Sequence, residues 1–210
     1  MSEIINNREQ QTNKELFNEV IEEMRQSGLP EDQPGHPIQT FKQENREIDK
    51  LIKTKIKVHL EQFANEDHTE NVEKLLEDVS LLLAIDKHYS RKENLIFPYL
   101  EKYGIYGPTQ NMWRMDDIIR DYIKFTKKIL ANYQGEKQSI IEKVNFIMNE
   151  ISGMIYREET ILFQMALQNL TEDEWVKIAH ESAEIGFCLI DQAEEWKPER
   201  KGLKENAISE

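Results

Sequence analysis

The stretch Ile140–Met165, IIEKVNFIMNEISGMIYREETILFQM, decides the architecture. Ile140, Val144, Ile147, Ile151, Met154, Ile161 and Met165 recur at alternating steps of four and three, the spacing of one helix face turned toward a core. Glu158 falls on the same line, the one charged residue in an otherwise apolar seam. A helix of this length with a single apolar stripe needs partner helices, and the rest of the chain supplies them.

Working outward, Gln134-Gly135 stops a helix read over 109–133, for which Thr109 is a candidate N-cap. Its stripe is Met112, Asp116, Ile119, Ile123 and Leu130. The segment 103–108, YGIYGP, separates it from a helix over 69–102 with the stripe Leu81, Ile85, His88, Lys92 and Leu95. ANEDHT divides that helix from the first long one, which opens at His36-Pro37 and runs to about Phe63 with Phe41, Asn45, Ile48 and Ile52 inward. Proline suits a first helical position, where its missing N–H has no partner to lose. Thr171-Glu172-Asp173-Glu174 reads as a capping box opening a fifth helix, with Trp175, Ile178, Ser182, Ile185 and Leu189 inward. Residues 14–27 place Phe17, Val20, Ile21 and Met24 on one stripe, a short amphipathic helix before the break GLPEDQPG at 28–35. The expected fold is all-α, an antiparallel up-down four-helix bundle with a short N-terminal helix and a C-terminal fifth helix. The division is 1–35 as an N-terminal extension, 36–192 as the bundle and 193–210 as a charged flexible tail.

Each of the four long helices thus sets a polar residue in its apolar line: Asn45, His88 with Lys92, Asp116, and Glu158. Leaving a buried charge without its partner costs roughly 3–5 kcal/mol. The economical expectation is that these groups meet one another or a bound ion. Taken singly, an inward Asp or Asn more often caps a helix or meets water near a bundle end. His36 caps the first helix or faces solvent, while His59, His68 and His180 read as surface residues. Tyr89, Tyr99, Trp113 and Tyr156 read as packing. The chain also repeats itself once: Arg91-Lys92-Glu93-Asn94-Leu95-Ile96-Phe97 matches Arg157-Glu158-Glu159-Thr160-Ile161-Leu162-Phe163.

Bulk properties narrow the function. A net charge of -13 over 210 residues disfavours nucleic acid and anionic membrane surfaces, which both need an excess of Lys and Arg. No run reaches the roughly 20 apolar residues of a membrane span, and the N-terminus lacks an apolar signal core. One cysteine, Cys188, in an apolar stretch, fits packing in a reducing compartment, so a cytoplasmic location is expected.

Gly35-His36-Pro37 with Thr40-Phe41-Lys42 and Glu44-Asn45, the run His88–Leu100, Met112-Trp113 before Asp116-Asp117 and Arg120, Glu158–Phe163, and Glu174-Trp175 with Glu184-Ile185-Gly186 form a combined pattern over about 36–190. It resembles the hemerythrin-like (HHE cation-binding) family, in particular a subgroup of unknown function sometimes fused to a PAS sensor domain. The resemblance implies a bundle that holds non-haem iron. Relatives with a full site carry or sense oxygen, sense nitric oxide or redox state, or help repair iron centres. Their ligands are mainly histidines, with a carboxylate from the second helix and another from the fourth.

This chain departs from that ligand set. The first-helix His position falls on Asn45, the third-helix position on Asp116, and the fourth-helix His position on Met154. His88 is kept, but the carboxylate expected four residues on is Lys92, with Glu93 one further. Glu158 is retained. Two readings stay open. In one, His88, Glu93, Asp116 and Glu158, with Glu44, Glu159 or His36 adding ligands, hold iron, singly or as a pair, or manganese. In the other, the Lys92 ammonium supplies the positive charge and the core holds no ion. The expected function is therefore a metal-binding sensor or carrier of oxygen, nitric oxide or redox state, or a metal-free sensory or interaction bundle. A non-enzymatic role is expected in both. Expected partners are a metal ion, a small diatomic gas, and a second copy or a signalling protein.

Overall fold

In a computed structural model, residues 29–198 other than Gln192 are described. The amphipathic segment expected at 14–27 and the tail beyond Pro198 lie outside the described residues. Five helices make the fold, and no strand occurs among the described residues. Helix α1 is Pro37–Leu51, a π-helical turn Ile52–Ile56, and Lys57–Asn65. Helix α2 is Thr69–Leu82, Ile85–Arg91, a π-helical turn Lys92–Ile96, and Phe97–Lys102. Helix α3 is Gly107–Ala131, and α4 is Lys137–Arg157, a π-helical turn Glu158–Leu162, and Phe163–Asn169. Helix α5 is Glu172–Ile185.

Short connections force consecutive helices to run antiparallel. Helix α3 packs on α2 and α4, while the second half of α1 packs on the starts of α2 and α4, closing the ring. Helix α5 lies across the other end, against the start of α1 and the middle of α2. Phe41, Ile48, Ile85, Ile119, Ile123, Ile147, Ile151 and Met154 are all at most 2% exposed in the central core. The expected capping box is formed: Thr171 Oγ1 accepts from the Glu174 N–H, and the Glu174 carboxylate accepts from the Thr171 N–H.

Several sequence expectations are corrected by interruptions of helical phase. In α4 the apolar line passes to Leu162 and Ala166, both buried, rather than to Ile161, which is 42% exposed. The π-helical turn at Glu158–Leu162 inserts an extra residue and rotates everything after it. In α2 the buried residue is Leu82, not Leu81, because hydrogen bonds of the shorter i to i+3 type around Leu83-Ala84 break the phase before Ile85. Thr109 is no cap: α3 starts at Gly107, and Thr109, fully buried, donates to the Glu101 carboxylate or the Tyr106 carbonyl. Trp113 and Tyr156 face solvent instead of packing. Helix α5 ends at Ile185, where Gly186 takes φ of 88°, so Leu189 is not on it. The chain then turns back as a strap. Trp196 is buried, its ring 4.7 Å from that of His36, and its indole N–H donates to Gln33 Oε1 at 3.0 Å.

Candidate metal centre and its charge network

Four helices bring polar side chains to one level of the core. Glu44 and Asn45 come from α1, His88, Arg91 and Lys92 from α2, Asp116 from α3 and Glu158 from α4, and all seven are at most 1% exposed. Lys92 opens the π-helical turn of α2 and Glu158 opens that of α4. Such turns are rare and concentrate at sites where a local change of helix register positions side chains.

The Lys92 ammonium donates to Asp116 Oδ1 at 2.9 Å and to Glu158 Oε1 at 2.5 Å. The other oxygen of Glu158 meets His88 Nε2 at 3.1 Å and the Asn45 amide at 3.2 Å. His88 Nδ1 lies 2.8 Å from Glu44 Oε2, which also receives the Arg91 guanidinium. Glu44 Oε1 accepts the backbone N–H of Cys188 at 2.6 Å, tying the network to the strap after α5. Three basic side chains, His88, Arg91 and Lys92, thus face three carboxyl groups, Glu44, Asp116 and Glu158.

The protonation states follow from this geometry. Burial alone would raise Glu158, but Lys92 and His88 hold it down at about 2, so it is a carboxylate. Ionised carboxylates only accept hydrogen bonds, so a His88 ring whose two nitrogens both face carboxylates must donate from both and is an imidazolium. Burial works against that charge, yet Glu158 and Glu44 raise His88 above its usual value. Lys92 is raised likewise, against burial, by Asp116 and Glu158. Asp116 goes the other way: burial pushes it up to about 7 against the pull of Lys92.

Of the residues singled out from the sequence, Glu44, His88, Asp116 and Glu158 converge. Glu159 sits at the edge, accepting from the Asn45 amide at 3.2 Å and from Arg46 at 2.6 and 2.9 Å. Glu93 lies elsewhere, in a two-pronged pair with Arg120 at 2.7 and 2.8 Å that joins α2 to α3. His36 lies elsewhere too. Its Nδ1 caps α1 by accepting from the Ile38 N–H at 3.2 Å, and its ring packs 4.9 Å from Trp175. Burial, with help from Lys42, lowers His36 to about 3 and keeps it neutral. His59, expected at the surface, pairs with the buried Asp78. Arg91 and the Cys188 N–H are network members that sequence reasoning missed. The signals for Arg91 were its place in the repeat opposite Arg157 and within the family-like run His88–Leu100.

This donor set does not fit a di-iron centre as it stands. A ligating histidine must offer a ring lone pair, and both His88 nitrogens are spent as donors. The carboxylates face ammonium, guanidinium and imidazolium groups, which already supply the counter-charge. Among the described residues, no group of three or more His, Cys, Asp or Glu side chains is arranged to hold a metal ion. Two buried oxygens of the network, Asp116 Oδ2 and Asn45 Oδ1, have no hydrogen-bond partner.

No helix among the described residues is long and apolar enough to cross a membrane. The chain has no match among curated proteins. Residues 36–166 match the hemerythrin HHE cation binding domain, a span that takes in α1 to α3, all of α4 but its last three residues, and every member of the network except Cys188. With the matched region covering more than half of the chain and coinciding with the four-helix ring, the protein belongs to the hemerythrin HHE cation binding domain family.

Proposed function

We propose that this chain is a hemerythrin-family bundle in which Lys92 takes the place of the metal, and that it works as a metal-free sensory or protein-interaction module. The observation that carries the reading is the Lys92 ammonium seated between Asp116 and Glu158 while both His88 nitrogens donate to carboxylates. A fixed cation in this position keeps the four helices in register without depending on iron supply or oxidation state. Metal entry would require Lys92 to leave or to lose its proton, and the neighbouring carboxylates oppose that loss.

A second reading retains the family's cation binding: an iron or manganese sensor or carrier for oxygen, nitric oxide or redox state. The family match favours it, together with the unpartnered oxygens of Asp116 and Asn45. In that case Glu44, His88, Asp116 and Glu158 would be the residues to hold the ion. Neither reading assigns the chain a reaction to catalyse.

Thermal unfolding separates the two, because a ligand that binds only the folded state raises the midpoint. Under anaerobic conditions the midpoint is expected to be the same with Fe(II), with Mn(II) and with a chelator. A saturable rise with either metal would contradict the metal-free reading.

A further inference from the structure

A shallow groove of about 640 Å³ runs along the outside of α3 beside α4, lined by Asp121, Tyr122, Lys124, Phe125, Lys128 and Lys143. Its floor is aromatic. Phe125 is 53% exposed and Tyr122 38%, and the Tyr122 ring lies 4.3 Å from that of Phe146 on α4. Its rim is basic, although the chain carries a net charge of -13. Lys143 Nζ stands 5.5 Å from the centre of the Phe125 ring and bonds to Ser139, and among the described residues none of the three lysines pairs with a carboxylate. An apolar floor beside lysines matches the apolar face of an amphipathic helix flanked by acids.

The chain itself contains such a segment. Residues 14–27 read from the sequence as a short amphipathic helix, its stripe Phe17, Val20, Ile21 and Met24 flanked by Glu15, Glu19, Glu22 and Glu23 against only Lys14 and Arg25. The position of Leu29 decides which copy this arm serves. Leu29 leads into the short helical turn Pro30–Asp32, which packs on the start of α1. Helices α1 and α3 each pack on α2 and α4, so they stand at opposite corners of the ring. Phe125 also lies about 27 Å along α3 from Gly107, and α3 starts at the end of the bundle where α1 starts. Residues 25–28, fully extended, span only about 14 Å, too little to carry Met24 around the bundle to the groove of its own chain. We propose that the groove receives residues 14–27 of a second copy, the two chains exchanging arms. The apolar stripe lies on Tyr122 and Phe125, and the glutamates face Lys124, Lys128 and Lys143. The inference goes beyond the metal-free reading and does not rest on it, since the groove is the same with or without an ion in the core.

Sedimentation equilibrium of full-length chains tests it. The wild type is expected to be a dimer. Ile21→Asp spoils the arm and Phe125→Asp spoils the groove, so each is expected to sediment as a monomer. Phe125 is exposed, so its change is expected to leave the far-ultraviolet circular dichroism of a folded helical bundle in place. If that variant fails to fold, Lys124→Glu with Lys128→Glu decides in its place, since it reverses the charge of the rim at two exposed positions. A mixture of Ile21→Asp and Phe125→Asp retains one sound arm and one sound groove, and is expected to form a one-to-one complex that neither variant forms alone. A monomeric wild type would overturn the proposal. A dimer that survives Ile21→Asp is joined without the arm and would overturn it, as would one that survives the groove variants. Absence of a complex in the mixture would overturn it too.

Discussion

Lys92 and Glu158 occupy the same position in the two copies of the chain's internal repeat, and their side chains meet at 2.5 Å in the core. Each opens a π-helical turn, Lys92–Ile96 in α2 and Glu158–Leu162 in α4. The pseudo-symmetry extends further. Glu93 and Glu159, the next residues in each copy, receive an arginine from a neighbouring helix, Arg120 of α3 and Arg46 of α1. Two similar hairpins thus face each other, with opposite charges at the matched position.

That pairing makes a prediction about removing one partner. Glu158→Ala leaves Lys92 and His88 short of a counter-charge in a dry core and is expected to cost roughly 3–5 kcal/mol. The double change Lys92→Met with Glu158→Leu replaces the pair by apolar groups of similar length, which is often neutral or better. Chemical denaturation of the single and double variants checks this. A double variant no more stable than Glu158→Ala would contradict a direct Lys92–Glu158 pair.

The pH dependence of stability is set by groups of opposite sign. His36 is lowered to about 3, so the unfolded chain binds the extra proton. Its contribution is fully present above about 6.5 and is lost as pH falls toward 3. Asp116 is raised to about 7, so its contribution is present below its usual value near 4 and is lost as pH rises through 7. Between these limits the two oppose each other, so the wild-type profile is the difference of two slopes. His36→Asn keeps an acceptor for the α1 cap but removes the titration. Its unfolding free energy is expected to fall with rising pH between 4.5 and 6.5, where that of the wild type is flatter or rises. Identical pH profiles for the two proteins would contradict the neutral, buried state of His36.

The strap depends on Gly35. Its φ of 82° lies in the left-handed region, and an added Cβ would come within 2.2 Å of the Glu194 carbonyl oxygen. Gly35→Ala cannot relax by moving a side chain, because the obstacle is backbone. The expected result is a displaced strap, a loss on the order of 1–3 kcal/mol, and a red-shifted tryptophan emission as Trp196 becomes wet. Unchanged emission and stability would show that the strap does not pack on Gly35.

How much of this was legible in the sequence depends on the range of the interactions. The helices, the capping box at Thr171 and the inward Asn45, His88, Lys92, Asp116 and Glu158 follow from periodicity and local capping chemistry, which act within a few residues. After Lys92 the expected inward Leu95 is buried, but the side of the helix occupied after Glu158 did not follow, because a π-helical turn is a tertiary adjustment with no strong propensity signal. Extrapolating regular phase through it put Ile161 inward, where Leu162 belongs. Glu93 and His36 were plausible ligands by residue type alone. Their actual partners, Arg120 and the tryptophans at 175 and 196, come from elements far away in the chain. The role of Arg91 was hidden for the same reason, since its partner Glu44 becomes a neighbour only when α1 and α2 pack.

The most direct test of a core neutralised by side-chain cations is the metal content of two proteins. Wild type and Lys92→Glu are each incubated anaerobically with Fe(II) or Mn(II), desalted and analysed by mass spectrometry for metal per chain. Lys92→Glu replaces the internal cation with a carboxylate beside Asp116, Glu158 and His88, so it is expected to retain metal while the wild type retains none in stoichiometric amount. One or two equivalents of iron held by the wild type would contradict the substitution of Lys92 for the metal.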